Sequence, residues 1–396
     1  MKLTASIPYV CPIPVRSASV LVMLVLVACS PATVTLPQAT ATMSQATATV
    51  PQATATVPQV SLEPVLFPLS EPGLYHVGTR TFTFEDASRG GREVGIAMWY
   101  PAVRPAASTD SRPTHDADPD VSSAPYPLIL SSAKTGATFA PHLASHGLVV
   151  AGVTRMAPAN RWGLWLIDYP LDLVFALDQI ASNSLGGLEG MIDANQAGAM
   201  GYSFGGYNAL ALSGARVDPE FYWAQCAEAP TMEAAPPAWW IEYICDMAGE
   251  WEEFAAHAGD TITVSDDSLW QPMTDERIRA VMPMVPEGAW LFGERGLAAV
   301  NRPTLIIGAT QDTICVYDLE AVYIFEHLGT PDHTMISFVG EGHMMVYDAD
   351  QVARMKHFAT AFFGHYLQGR DDYAGYFSED FVAQHDDLAW GVYTGK

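Results

Sequence analysis

The chain has 396 residues, of which 49% are hydrophobic and 11% aromatic, so it can bury a large core and is not a disordered chain. It carries 19 Lys and Arg residues against 44 Asp and Glu residues, a formal net charge of −25 that disfavours nucleic acid and anionic lipid headgroups as main partners. Five cysteines are too few for a disulfide scaffold. The length fits one large domain or two ordinary ones, and a globular enzyme or binding protein is what remains.

The N-terminus has the pattern of an export signal. Lys2 and Arg16 precede the mostly apolar run SASVLVMLVLVA, which is too short for a stable membrane-spanning helix. The run ends in LVAC at Cys29, which resembles the bacterial lipobox; the resemblance implies cleavage before Cys29 and lipidation of its thiol. We therefore expect residues 1–28 to be a lipoprotein signal peptide and the mature protein to be lipid-anchored outside the cytoplasm. A plain signal peptide followed by a chance cysteine is the alternative.

A seven-residue repeat follows the signal, with the copies PQATATM, SQATATV and PQATATV between residues 37 and 57. It contains no charge, no aromatic residue and no helical apolar stripe, so it cannot bury a core and is typical of an extended spacer. We expect residues 29–63 to be a tether and residues 64–396 to be the folded domain.

Strand patterns alternate with helical patterns from residue 75 onward. Strand-like runs lie at 79–84, 94–100, 127–130, 148–153, 197–202, 281–285, 304–309 and 334–339. Helical stretches lie at 139–146, 170–182, 204–215, 317–328 and 351–367. This alternation predicts an α/β fold with a mostly parallel sheet and helices on both faces. The first two strands lack an intervening helix, so we expect an antiparallel hairpin that turns at Gly90-Gly91.

Residues 217–280 interrupt the alternation and contain half of the ten tryptophans. We interpret this segment as a cap inserted over the sheet. The sequence leaves open whether its tryptophans contribute to a substrate pocket or pack beneath the cap. Cys226 and Cys245 lie within it, and we expect them to form a disulfide in an oxidising compartment.

Residues 201–205, Gly-Tyr-Ser-Phe-Gly, match the motif G-x-S-x-G between the strand AGAMGY and the helix FGGYNALALSGA. A sharp strand-to-helix turn at this motif strains the backbone of the nucleophile and requires small neighbours. The helix that begins at Phe204 directs backbone N–H groups and a partial positive charge towards a developing oxyanion. The motif and its context predict that Ser203 is a catalytic nucleophile and that Phe204 contributes to the oxyanion hole.

A serine nucleophile of this kind needs an acid and a histidine later in the chain. Asp312 follows the run 304–309, and His343 follows the run 334–339. Both therefore lie at the carboxyl ends of predicted strands, the same edge as Ser203. We expect His343 to be the general base and Asp312 to orient it. Four other residues are less suitable as the acid or the base, because they lie inside a predicted helix or at a strand start: Asp318, His327, His333 and His357.

Three further stretches accompany the nucleophile motif and the two loops with Asp312 and His343: MWYPA at 98–102, LASHG at 143–147 and LVFALDQ at 173–179. Through these stretches the chain resembles the secreted α/β-hydrolases grouped with dienelactone hydrolases and platelet-activating-factor acetylhydrolases. The similarity spans about residues 75–370. The resemblance implies an α/β-hydrolase fold and esterase activity on short or oxidised acyl groups, without metal or organic cofactor. Serine stands here instead of the cysteine of dienelactone hydrolases, which favours ester hydrolysis.

Two positions depart from that family. The loop after the 127–130 strand reads SSAKTG, where the family usually has His-Gly. By position, Ala133 or Lys134 should supply the second oxyanion N–H, and the Lys134 ammonium could face either the pocket or solvent. Tyr202 also replaces the histidine commonly found before the nucleophile.

His142 and His146 are four residues apart, as zinc ligands on a helix can be. No third ligand is evident in the sequence, so we expect structural roles for both histidines and no metal site.

Two classes of function remain. The first is a serine ester hydrolase that acts through an acyl-enzyme on a small-molecule or lipid-like ester, such as a short-chain or phospholipid-type acetyl ester. Polyester, cutinase-like and amide substrates fit the same triad. The second is a non-catalytic surface binding protein on a hydrolase scaffold. In either case we expect a monomer with no nucleic-acid partner, in contact with membrane only through its N-terminal lipid.

Overall fold

One ten-stranded sheet organises the computed structural model, which describes residues 66–105, 112–154, 162–182, 185–232 and 236–395. The signal peptide, Cys29 and the repeat lie outside the described residues. In chain order the strands are β1 (His76–Asp86), β2 (Arg92–Ala102), β3 (Thr114–His115), β4 (Tyr126–Ser132), β5 (Val149–Thr154), β6 (Ile192–Tyr202), β7 (Ile278–Met284), β8 (Thr304–Ala309), β9 (His333–Phe338) and β10 (Leu388–Trp390). Across the sheet their order is β10-β9-β8-β7-β6-β4-β5-β2-β1-β3.

The central strands β9, β8, β7, β6, β4 and β5 are mutually parallel, as the sequence predicted. Strand β2 pairs antiparallel with β5 and with β1, so the predicted hairpin is present near one edge. Gly90 and Gly91 both adopt left-handed φ angles, 73° and 77°, at its turn, which a residue with a side chain adopts only with strain.

Helices cover both faces of the sheet. They are α1 (Ala133–Ser145), α2 (Trp162–Ser182), α3 (Phe204–Leu212), α4 (Pro219–Glu228), α5 (Ala238–Ile244), α6 (Trp251–Ala258), α7 (Asp260–Thr263), α8 (Ala289–Ala298), α9 (Tyr323–His327), α10 (Ala349–Gln368) and α11 (Glu379–Val382). Helices α1 and α10 bury apolar residues against one face, and α2, α3, α8 and α9 pack on the other. Along β4, Ile129 points to the first face while Leu128 and Leu130 point to the second, which is the two-residue period of a strand.

Several elements differ from the sequence-based expectation. Helix α8 was not predicted, because Gly288 (φ 112°) precedes it and Gly293 (φ 60°) breaks its helical backbone, which interrupts the 3.6-residue apolar period. Strands β3 and β10 have only two and three residues, too few to show a period. Helix α1 begins at Ala133 rather than near residue 139, directly after β4.

The insertion between α3 and β7 contains the four helices α4–α7. Strand β7 begins at Ile278, three residues before the predicted strand start at residue 281. Cys226 of α4 and Cys245, next to the end of α5, are joined by the predicted disulfide. In the described part of the chain, no helix is both long and apolar enough to cross a membrane.

Candidate active site

Ser203 lies at the turn between β6 and α3 with φ 58° and ψ −121°, a strained conformation for a residue with a side chain. The turn is so tight that a Cβ added to Gly201 would lie 1.9 Å from the carbonyl oxygen of Gly205. A Cβ on Gly206 would lie 2.7 Å from the Cα atom of Pro286. Gly201 and Gly206 are therefore required by the close approach of backbone to backbone, and the strain holds Ser203 above the sheet edge.

The three residues predicted to cooperate meet in one hydrogen-bonded chain. The Nε2 atom of His343 lies 2.9 Å from Oγ of Ser203, and its Nδ1 atom lies 2.8 Å from Oδ2 of Asp312. The side chain of Asp312 is almost fully buried and that of His343 nearly so. A neutral imidazole with its proton on Nδ1 would donate to Asp312 and accept the Ser203 proton at Nε2.

Two loops at the carboxyl edge of the sheet hold Asp312 and His343 in place. Asp312 follows β8, and its second carboxylate oxygen, Oδ1, accepts the backbone N–H groups of Ile314 at 2.8 Å and Cys315 at 2.9 Å. The loop that carries His343 follows β9 and is bonded to the Asp312 loop, because the Gln311 N–H donates to the Glu341 carbonyl at 2.7 Å. The relative position of acid and base is thus fixed by backbone hydrogen bonds.

Tyr202 occupies the position before the nucleophile and contacts the base, His343. Its hydroxyl donates a hydrogen bond to the backbone carbonyl of His343, and its ring packs edge-on against the imidazole with centroids 5.7 Å apart. Burial raises the pKa of the Tyr202 hydroxyl, so it stays a neutral donor. The tyrosine that stands here in place of the histidine common in the resembled family therefore helps to position His343.

The predicted oxyanion residues all line the cavity that contains Ser203. Phe204 is the first residue of α3 and Ala133 the first residue of α1, so two helix N-termini meet beside the serine hydroxyl. The first backbone N–H groups of a helix have no intrahelical acceptor and carry a partial positive charge. Lys134 is exposed and also lines the cavity.

The cavity has a volume of about 660 Å³. Its lining includes Met344, Val346 and Tyr347 of the His343 loop, together with residues of α1, the end of β5, Tyr169 of α2 and Asn208 of α3. None of the described lining residues is an Asp or a Glu.

The tryptophan-rich insertion does not contribute to this cavity through any described residue. Trp251 instead packs against Phe254 and Trp270, with ring centroids 5.4 and 5.6 Å apart. Trp240 packs edge-on against Trp290 of α8 at 4.7 Å. Of the two roles left open for the tryptophans, packing is the one observed for Trp240, Trp251 and Trp270, whereas Trp223 and Trp239 are 43% and 48% exposed.

The other titratable residues considered in the sequence lie away from the site. His142 bonds to the Leu69 carbonyl at 2.9 Å and to Thr360 at 3.1 Å, and His146 bonds to the Glu71 carbonyl at 2.9 Å, so each holds the segment before β1. The histidines at 327, 333 and 357 also bond to backbone groups outside the cavity. Among the described residues, no cluster of three or more His, Cys, Asp or Glu side chains could hold a metal ion.

Sequence reasoning missed two buried polar residues near the site. Glu287 follows β7, is 5% exposed, and accepts a hydrogen bond from Tyr243 of the insertion at 3.0 Å. Burial raises its pKa to about 7. Asn208 is the only amide or charged side chain of α3. The sequence offers one sign of Asn208: it is a polar residue inside the otherwise apolar run that follows the nucleophile.

Comparison with known proteins agrees with this geometry. Residues 175–370 match the model of the prolyl oligopeptidase family, and that range contains Ser203, Asp312 and His343. No curated protein matches the chain. The sheet, the nucleophile turn and the family match together define a serine hydrolase of the α/β-hydrolase fold.

Proposed function

We propose that this protein is a carboxylic-ester hydrolase that acts through Ser203, His343 and Asp312. The observation that carries the proposal is the hydrogen-bonded chain from Asp312 through His343 to Ser203, which opens into a cavity of about 660 Å³. A cavity of this size suits a small molecule rather than an extended polypeptide.

The reaction follows from the positions of these groups. His343 removes the proton of Ser203 as Oγ attacks the ester carbonyl, and Asp312 stabilises the imidazolium that forms. The N–H groups at the starts of α3 and α1 stabilise the tetrahedral oxyanion, with Phe204 on one side and Ala133 or Lys134 on the other. The imidazolium then protonates the leaving alcohol, and water activated by His343 hydrolyses the acyl-enzyme.

A peptidase or amidase is the second candidate, and the match to the prolyl oligopeptidase family favours it. The same triad can cleave either bond. The described lining of the cavity holds no carboxylate that could bind the ammonium group of a peptide N-terminus, which favours the ester.

Turnover of matched chromogenic substrates by the full chain tests the proposal. We expect hydrolysis of p-nitrophenyl acetate and butyrate at rates well above those of the corresponding p-nitroanilides, and loss of this activity in Ser203→Ala. A fluorophosphonate probe should label the wild type and not the variant. Faster cleavage of anilides would identify an amidase. Absence of both turnover and labelling would favour the non-catalytic binding protein.

Within the esterases, we propose short-chain or phospholipid-type acetyl esters as substrates, in line with the resemblance to the acetylhydrolase group. Met344 and Tyr347 at the cavity mouth are 57% and 67% exposed, and they offer an apolar surface to a lipid-like or polymeric alcohol group. A series of p-nitrophenyl esters from two to twelve carbons, with a phospholipid and a polyester, distinguishes these classes. A steady rise in kcat/KM with chain length would contradict the short-chain assignment.

We also propose that Cys29 is lipidated and anchors the enzyme to a membrane outside the cytoplasm through the 29–63 tether. The support is the sequence pattern alone. Metabolic labelling with a palmitate analogue in a bacterial host should mark the wild type, and Cys29→Ser should release the protein from the membrane fraction. Unlabelled, soluble wild-type protein would indicate a plain signal peptide.

A further inference from the structure

Beyond the triad, five polar residues line the cavity, and we call them the polar arm: Thr135, Thr138, Thr154, Tyr169 and Asn208. The arm lies beside the nucleophile, because the Thr135 hydroxyl would be only 3.5 Å from a Cβ added to Gly205. Three threonine hydroxyls, one phenol and one amide are an unusual lining for a site that binds only an alkyl chain.

Asn208 is the buried member of this arm. The residue is 2% exposed, and neither its Oδ1 nor its Nδ2 atom has a hydrogen-bond partner among the described residues. A buried amide without partners destabilises the fold, and an apolar residue of similar shape would fit α3 at lower cost. The rest of α3 is rich in alanine, leucine and glycine, so the amide does not satisfy a neighbouring polar group there.

The two unpartnered atoms specify what would satisfy them. Oδ1 accepts a hydrogen bond and Nδ2 donates one, so the complementary group must both donate and accept. A hydroxyl or a carboxamide does so; an alkyl chain does neither, and a carboxylate only accepts. A site that hydrogen-bonds a substrate group in this way discriminates strongly against analogues that lack it.

We propose that Asn208 is a specificity-determining residue that binds a hydroxyl or carboxamide group on the acyl chain of the substrate. The inference rests on the proposed hydrolase function and narrows its substrate class to polar-substituted short acyl esters. Asn208 then contributes to substrate recognition, while the chemical step belongs to the triad.

The test compares esters that differ only at this group. For the full chain we expect kcat/KM for p-nitrophenyl 3-hydroxybutyrate to exceed that for p-nitrophenyl butyrate by roughly tenfold. The N-acetyl-β-alanine ester, which carries a carboxamide, tells whether a hydroxyl or an amide is preferred. In Asn208→Leu the ratio of hydroxylated to alkyl ester should fall towards one, and the melting temperature should rise because the unpartnered amide is gone.

Tyr323→Phe is the matched control. It removes a different buried polar group, a hydroxyl without a hydrogen-bond partner among the described residues, and Tyr323 lies outside the cavity. It should leave the ratio at the wild-type value. A ratio near one in the wild type, or the same ratio in Asn208→Leu, would overturn the inference and leave ordered water as the only partner of the amide. A lower melting temperature with an unchanged ratio would show a purely structural amide.

Binding separates this inference from the proposed catalysis. In Ser203→Ala protein, ligand-observed NMR should detect tighter binding of ethyl 3-hydroxybutyrate than of ethyl butyrate, and the added Asn208→Leu substitution should remove the difference. Failure of wild-type turnover with this binding difference intact would contradict the proposed function alone. Equal binding of the two esters would contradict the role of Asn208.

Discussion

Asp312 presents its two carboxylate oxygens to different partners. Oδ2 contacts the His343 imidazole at 2.8 Å, and Oδ1 accepts two backbone N–H groups. Asp312→Asn keeps the shape but can donate from the amide to the imidazole, which would favour the wrong tautomer. We expect kcat for p-nitrophenyl acetate to fall by about 10³–10⁴-fold with little change in KM.

The pH profile distinguishes a tautomer effect from misfolding. Asp312→Asn should keep the wild-type melting temperature to within a few degrees, while its rate stays low across the range in which the wild type is active. A loss of less than about tenfold would show that Asp312 does not orient the base.

The buried carboxyl group of Glu287 makes the free energy of unfolding depend on pH. Burial is the larger influence and raises its pKa from 4.5 to about 7, although Tyr243 and His343 act in the opposite direction. Between these two values the folded protein binds a proton that the unfolded chain has lost, so the free energy of unfolding falls as the pH rises from about 4.5 to about 7. Glu287→Gln should abolish this decline, which is on the order of 3 kcal/mol.

Urea unfolding of both proteins at several pH values measures the difference. Tyr243→Phe serves as a control, because it removes the hydrogen bond that favours the carboxylate while leaving the burial that raises the pKa. If the free energy of unfolding changed with pH in the same way in the wild type and in Glu287→Gln, Glu287 would be ionised across this pH range in the folded protein, contrary to this expectation.

At the scale of elements, the disulfide closes a loop of the insertion, and no described residue of that loop lines the cavity. Cys226 and Cys245 are 19 residues apart, and cross-linking a loop of this length stabilises a fold by about 3 kcal/mol in the chain-entropy account. The double substitution Cys226→Ser and Cys245→Ser should therefore lower the free energy of unfolding by about this amount. The kcat/KM should stay nearly unchanged at temperatures where the variant is folded.

Reductant provides the control. Dithiothreitol should lower the melting temperature of the wild type to that of the double variant and should leave the variant unaffected. A large loss of activity in a folded double variant would show that the insertion shapes the site, contrary to the cavity lining.

The elements that sequence predicts well are those with a local signal. The parallel strands were recognised because both faces are covered and their apolar runs are continuous, and Asp312 and His343 were located because each follows such a strand. Helix α8 was missed because Gly293 breaks its period. The burial of Asn208 and Glu287 could not be predicted, because it is a property of tertiary packing.

At the scale of the whole molecule, the acidic charge belongs to the folded part of the chain. Residues 1–63 carry a net charge of +1, so residues 64–396 carry −26. Charge of one sign at this level destabilises the compact state through self-repulsion. Some carboxylates are neutralised internally, since buried Asp172 pairs with Arg89 and Arg92 at 2.8 and 2.7 Å, but the excess remains.

Salt should therefore stabilise this protein. The Debye length shortens from about 10 Å at 0.1 M to about 3 Å at 1 M, which screens repulsion between exposed carboxylates while the buried pairs are screened much less. We expect the melting temperature of the full chain to rise by several degrees between about 0.1 M and about 1 M NaCl. The same NaCl series near pH 4, where many carboxylates are protonated, should give a smaller rise in melting temperature. This comparison separates charge screening from general salting-out. A melting temperature at neutral pH that is flat or falls with salt would mean that the negative charges are spaced widely enough not to repel.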